Sequence, residues 1–107
     1  MQHDNLDFLL RPLSRGEVME YLPQFESLDA ETPGEPWGQA HWLLDLPGKW
    51  EISRVLLREG RLIGFLIASR KEGAVHFHRL AVAANERRQG LGNLLMAAAA
   101  RGAHEEH

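Results

Sequence analysis

The stretch that decides the fold is "HFHRLAVAANERRQGLGNLLMAAAA", residues 76–100. An apolar run gives way to a short polar link. Two arginines, Arg87 and Arg88, and a Gly-x-Gly, Gly90 to Gly92, then open a strong helix former. Backbone N–H groups in the first turn of a helix have no internal partners, and with the helix dipole they form an anion site suited to phosphate. Glycine at 90 and 92 lets a ligand approach the backbone with no side chain between. The planar forks of the arginines match phosphate oxygens. The order of residue types predicts a pyrophosphate clamp at the start of a helix from about Leu91 to Arg101, with Gly102 as its C-terminal cap. The plainer reading of the same letters is a tight strand-to-helix turn beside a solvated arginine pair. Two other phosphate loops are excluded. Leu95 stands where a dinucleotide Gly-x-Gly-x-x-Gly needs its third glycine, and no Gly-Lys-Ser/Thr follows.

Upstream of this stretch, "EISRVLLR", "RLIGFLIASR" and "AVHFHRLAV" are three β-type runs separated by Glu59-Gly60 and by Lys71 to Gly73. Both separators suit hairpin turns, so the runs predict an antiparallel meander. The middle run, Leu62 to Ala68, lacks polar alternation, which implies cover on both faces. Helices supply that cover. "LDFLLRPL" reads as a first strand from about Leu6 to Arg11, closed by Pro12. Ser14 with Glu17 is a capping-box signature opening a helix through Val18, Met19, Leu22 and Phe25, with Pro23 at a kink or near its end. A turn-rich acidic loop leads to a short helix around Trp42, ended by Pro47-Gly48. The expected class is α/β, a mainly antiparallel sheet flanked by helices, in the order β-α-α-β-β-β-α.

Composition narrows the chemistry. At 107 residues the chain makes one domain, and a net charge of −3 argues against a general nucleic-acid binder. There is no cysteine, which removes disulfides, thiolate metal sites and a cysteine nucleophile. No long apolar span and no signal-peptide pattern at the N-terminus point to a cytoplasmic protein without a membrane partner.

"RRQGLG" after "LAVAANE" resembles the acyl-coenzyme A signature of the GNAT family of N-acetyltransferases, Arg/Gln-x-x-Gly-x-Gly/Ala, with Arg87, Gly90 and Gly92 in the signature positions. "HFHRLAV" stands where that family has its fourth strand, and "RLIGFLIAS" is similar to its third. The resemblance implies acetyl-coenzyme A as acyl donor, an amine as acceptor and direct acetyl transfer. It implies backbone contacts to the pantetheine arm from Leu80, Ala81 and Val82. Its phosphate cradle would be Arg88, Gln89, Gly90, Leu91, Gly92 and Asn93, with Arg87 at the edge.

Acetyl transfer needs a neutral amine, so a base near the acyl carbonyl helps, and histidine titrates in the useful range. His76 and His78 share a strand face by alternation. By position His76 lies where some family members carry a basic glutamate. The pair reads as catalytic base or as the lining of a substrate pocket or half-exposed strand. In the loop, Asp29, Glu31 and Glu35 would favour a cationic amine, with Trp37 and Trp42 as apolar walls or core plugs. His76 and His78 lack a third ligand at a telling spacing, so no metal is expected.

The family continues past this helix with a fifth strand and a further helix that often supplies the acid for the departing thiolate. Tyr21, the only tyrosine, does not replace that acid by position. The resemblance thus implies an N-terminal portion of a longer acetyltransferase domain, a chain completed by another copy, or a non-catalytic module that binds acyl-coenzyme A or serves assembly. As it stands, the strand 75–82 would be an uncovered edge opposed only by Arg79 and the histidines. The product expected of such an edge is a homodimer.

Overall fold

Two tight turns set the sheet. In the computed structural model, which describes residues 8–87 and 89–105, Glu59-Gly60 and Glu72-Gly73 both have left-handed backbone, with φ of 53° and 76° in the first pair and 52° and 81° in the second. Such pairs match the twist of antiparallel strands. They join β2 (Arg54–Arg58), β3 (Arg61–Lys71) and β4 (Ala74–Val82) into the expected meander. The second turn is shorter than the sequence suggests, because Lys71 already pairs with Ala74. β1 (Leu9–Pro12) pairs antiparallel with β2, giving the order β1-β2-β3-β4. It carries Pro12 as its last residue, where an outer strand tolerates the missing N–H. Leu6 and Asp7, part of the strand as expected, lie outside the described residues.

Leu62 to Ser69 of β3 are all buried, as an unbroken apolar run between two helical layers should be. On one face, Phe25, Trp42 and Phe65 meet with ring centroids 5.3–5.4 Å apart, joined by Leu13, Val18 and Ile67. On the other, Ile63 and Leu66 pack against Leu91, Leu95, Ala99 and Ala103. A register shift between Leu56 and Leu57 lets the side-chain alternation slip at Ile63–Gly64. A Cβ at Gly64 would press on the Ala81 carbonyl oxygen at 3.3 Å and on Leu95 at 3.4 Å, so glycine here lets the helix sit close.

The helical segment before β2 divides more finely than expected. Ser14 does form the capping box: its hydroxyl accepts from the Glu17 N–H at 3.1 Å, and the Glu17 carboxylate accepts from the Ser14 N–H at 3.3 Å. But α1 (Arg15–Glu20) stops at Tyr21, and α2 (Leu22–Asp29) starts anew with Pro23 in its first turn, where proline lacks no needed N–H. Pro23 begins a helix here; it does not kink or close one. α3 (Gln39–Leu43) is the short helix around Trp42. α4 (Lys49–Ile52) occupies the start of the run read as "EISRVLLR", so β2 begins only at Arg54.

The last helix, α5 (Leu91–Glu105), outruns its expected end. Gly102 is buried inside it and is no cap. A Cβ there would run into the Arg54 guanidinium and come within 3.3 Å of the Glu51 carbonyl oxygen. The residue is small because two elements cross at that point.

Candidate functional site

The helix start and the end of β4 enclose one cleft of about 330 Å³. Leu80, Ala81 and Val82 form the strand side, and Arg87, Gly90, Leu91 and Gly92 the helix side. Thr32, from the loop after α2, closes the third side. Gly90 has a φ of 76°, a turn that only glycine makes without strain, and its carbonyl accepts the first helical hydrogen bond, from Leu94 at 3.0 Å. The N–H groups of Leu91, Gly92 and Asn93 come before that bond and have no acceptor within the helix. At this size the cleft admits an organic phosphate as well as a bare ion.

The link from strand to helix is anchored by charge. Glu86, buried in a 3₁₀ turn (Ala84–Glu86), pairs with Arg58 of β2 at 3.1 Å and accepts from the Gln89 amide at 3.4 Å. Arg87 is braced, with Nε donating to the Val82 carbonyl at 2.9 Å and Nη2 lying 3.7 Å from Glu31. Of the expected phosphate-side residues, Gln89 and Asn93 do not line the cleft, and Arg88 lies outside the described residues. Thr32 was not foreseen. Its hydroxyl donates to the Asp29 carbonyl at 2.7 Å, and no sequence spacing announces that it faces the strand.

Midway along β4 the ladder slips. Ala68 pairs with Phe77 and Ile67 with Arg79, leaving His78 as an extra, bulged residue. The bulge turns His78 and Arg79 to one face together, and His76 joins them with its ring 4.8 Å from that of His78. His78 is half-buried, and its Nε2 lies 2.8 Å from the Ser69 hydroxyl. Burial, helped by the charges of His76 and Lys49, pushes the His78 imidazole below its ordinary range. His76 is exposed.

Lys49 is 1% exposed and donates to the carbonyls of Trp42 at 2.9 Å and Leu44 at 2.6 Å, with Trp50 4.5 Å away as a face for the cation. Burial lowers its ammonium to about 8, against a smaller raising effect of Asp45.

The acidic loop does not present its carboxylates as the sequence suggested. Asp29 is buried in a two-pronged pair with Arg79, Nε to Oδ1 at 2.8 Å and Nη2 to Oδ2 at 3.0 Å. Glu31 accepts from the Ala84 N–H at 3.1 Å besides facing Arg87. Trp42 is a core plug, whereas Trp37 stays half-exposed and stacks on His41 at 5.1 Å. Among the described residues, no three metal-ligating side chains come together.

Known proteins share this architecture. The ribosomal-protein-S18-alanine N-acetyltransferase of Escherichia coli superposes with a TM-score of 0.73 at 17% identity, over 92% of this chain and 61% of that one. Diaminobutyrate acetyltransferase of Paenibacillus lautus, in complex with its substrate and coenzyme A, gives 0.74 at 17% identity over 91% and 60%. Ard1 of Thermoplasma volcanium gives 0.73 at 25% identity over 92% and 65%. The chain thus spans less than two thirds of the length of these proteins. No curated protein matches the sequence. The model of the acetyltransferase (GNAT) family matches residues 18–107, through α1 to α5 and the whole cleft, and the chain belongs to that family.

Proposed function

We propose that the chain is the coenzyme-binding portion of an acetyl-coenzyme A-dependent N-acetyltransferase acting on an amine in the cytoplasm. The observation that carries this is the single cleft shared by the end of β4 and a glycine-opened helix start. The N–H groups of Leu91 and Gly92 at the helix start would hold the pyrophosphate, and the backbone of Leu80, Ala81 and Val82 would run beside the pantetheine arm. Arg87, tied to Val82, shapes the mouth of the cleft. The acceptor is an amine, the chemistry shared by neighbours named for a ribosomal-protein alanine and for diaminobutyrate.

In the transfer, the amine nitrogen attacks the thioester carbonyl, the C–N bond forms and the C–S bond breaks. His78 is the stronger candidate base of the two histidines: it is half-buried, held by Ser69 and biased toward the neutral form that accepts the amine proton. The coenzyme thiolate takes its proton from water. With no cysteine in the chain, the acyl group passes without a cysteine thioester.

Calorimetry with coenzyme A tests the assignment on two variants. Gly90→Asp places a carboxylate at the left-handed turn, where a side chain is strained. Gly92→Asp does so at a position with ordinary backbone, where a Cβ meets only Leu80, at 4.0 Å. Both variants are expected to lose affinity at least tenfold while keeping the fold. Unchanged affinity in folded Gly92→Asp rejects the site. Because the chain covers only 60–65% of its neighbours, a second reading is a portion that binds coenzyme without turnover. Acetylation assays over a panel of amines separate the two.

A further inference from the structure

The bulge in β4 gives Arg79 a place that the coenzyme reading does not use. Because His78 is the extra residue, Arg79 faces the helical layer beside the histidines instead of the α5 side. Its guanidinium then reaches three separate points. It forks onto the buried Asp29 at the end of α2, it donates to the Glu35 carbonyl, and its Cζ lies over the ring of Trp37, 4.9 Å from the centroid. The loop between Asp29 and Trp37 is therefore fastened to β4 at both its ends by one side chain. Between those ends Thr32 already lines the coenzyme cleft.

We propose that Arg79 is a positioning residue: it clamps the loop 30–37 to the bulge of β4, so that occupation of the cleft by coenzyme sets the aromatic wall formed by Trp37 and His41 beside the face of β4 that carries His76 and His78. This rests on reading the cleft as the coenzyme site. The chemistry explains why the residue is arginine. A lysine places one charge on Asp29 but cannot fork onto both carboxylate oxygens, reach a carbonyl and present a flat face to an indole at once. It also gives Asp29 a role other than attracting the acceptor. A carboxylate so deeply buried and paired exerts little field on an incoming amine, which leaves selection to the aromatic face.

The clamp can be read without knowing the acceptor. The protein is labelled with 5-fluorotryptophan, which reports on Trp37, Trp42 and Trp50, and the Trp37 fluorine resonance is assigned from a Trp37→Phe variant. Coenzyme A is the probe. In the wild type its addition is expected to shift the Trp37 line. In Arg79→Lys it should bind within about threefold of wild-type affinity by calorimetry, yet leave the Trp37 line unmoved and narrowed. Asp29→Asn, which keeps the arginine but weakens the fork, should fall between them and serves if Arg79→Lys does not fold. A Trp37 line that responds to coenzyme A equally in wild type and variants overturns the clamp, as does one that never responds although coenzyme binds. Failure of coenzyme A to bind the wild type strikes the coenzyme reading instead. The clamp is then judged on the ligand-free spectra, where a Trp37 line identical in wild type and Arg79→Lys rejects it.

Discussion

At the scale of single residues, the site is governed by which charges are kept out of water. His78 is held below its ordinary titration range first by burial and then by the cationic neighbours His76 and Lys49. Each of these favours the neutral ring, the form a base needs. Removing one cation should release part of the shift. Proton NMR titration is expected to place the His78 midpoint below the ordinary histidine value of about 6.5 in the wild type and to move it upward in His76→Gln. A midpoint that stays in place would show that the two rings do not share charge at 4.8 Å. If turnover is found, His78→Gln should lower kcat/KM about 100-fold, and His76→Gln far less.

Lys49 makes a second charge argument, about stability. Its folded-state value of about 8 lies below the ordinary lysine value of about 10.4, so between these limits the unfolded chain binds a proton that the folded chain has lost. Stability therefore rises with pH through this window, and below pH 8 the buried ammonium is a standing cost. Urea midpoints measured from pH 7 to 10 should climb in the wild type. In Lys49→Met the part of that slope due to this residue should vanish, while the overall level falls because the Trp42 and Leu44 carbonyls lose their donor. Parallel slopes in the two proteins would reject the assignment.

At the scale of elements, the legible features were those written in local chemistry. Glu59-Gly60 announces a hairpin because left-handed backbone needs glycine at the second place, Gly73 announces another that the sequence reading made one residue too long, and the capping box of Ser14 and Glu17 is equally local. The glycine-opened turn before α5 was legible for the same reason, and Leu80 to Val82, Arg87 and Gly90 to Gly92 do line one cleft. What the sequence hides is tertiary. Nothing in "HFHRL" marks His78 as the bulged residue, because a bulge is decided by the partner strand. The same blindness concealed Arg79 as the partner of Asp29, fifty residues away. Glu51 and Ile52 read as strand because Ile52 is apolar and β-branched, whereas the left-handed Gly48 turns the chain into α4 first. Gly102 looked like a cap since glycine there has two explanations, and close crossing wins over chain termination. Gly102→Ala tests the crossing. Helix propensity alone favours alanine by about 1 kcal/mol. Overpacking against Arg54 and the Glu51 carbonyl costs about 1–3 kcal/mol, so the variant should be destabilised by about 1 kcal/mol in a urea unfolding curve. A gain in stability would show that the crossing leaves room for a side chain.

At the scale of the molecule, the two helical layers cover the sheet's faces and leave its outer strands to be managed separately. β1 is only four residues long, a short template for unwanted pairing. β4 is longer, at nine residues, and among the described residues no strand pairs with its outer side. Phe77 and Leu80 are 47% and 39% exposed on the face toward α5, so apolar surface accompanies the open backbone edge. Edge pairing between two copies of residues 1–107 would be antiparallel and self-complementary, and a two-fold dimer is the closed product of such a contact. That pairing would use the outer side of β4 up to Leu80, Ala81 and Val82, the same backbone that the coenzyme arm is proposed to follow. The two events would therefore compete. Light scattering over a concentration series should show a dimer that coenzyme A shifts toward monomer. Phe77→Lys, which places a charge on the edge away from the cleft, should weaken the dimer while leaving coenzyme affinity within about twofold. A monomer at every concentration rejects the edge contact, and a dimer that binds coenzyme A as well as the monomer does rejects the competition.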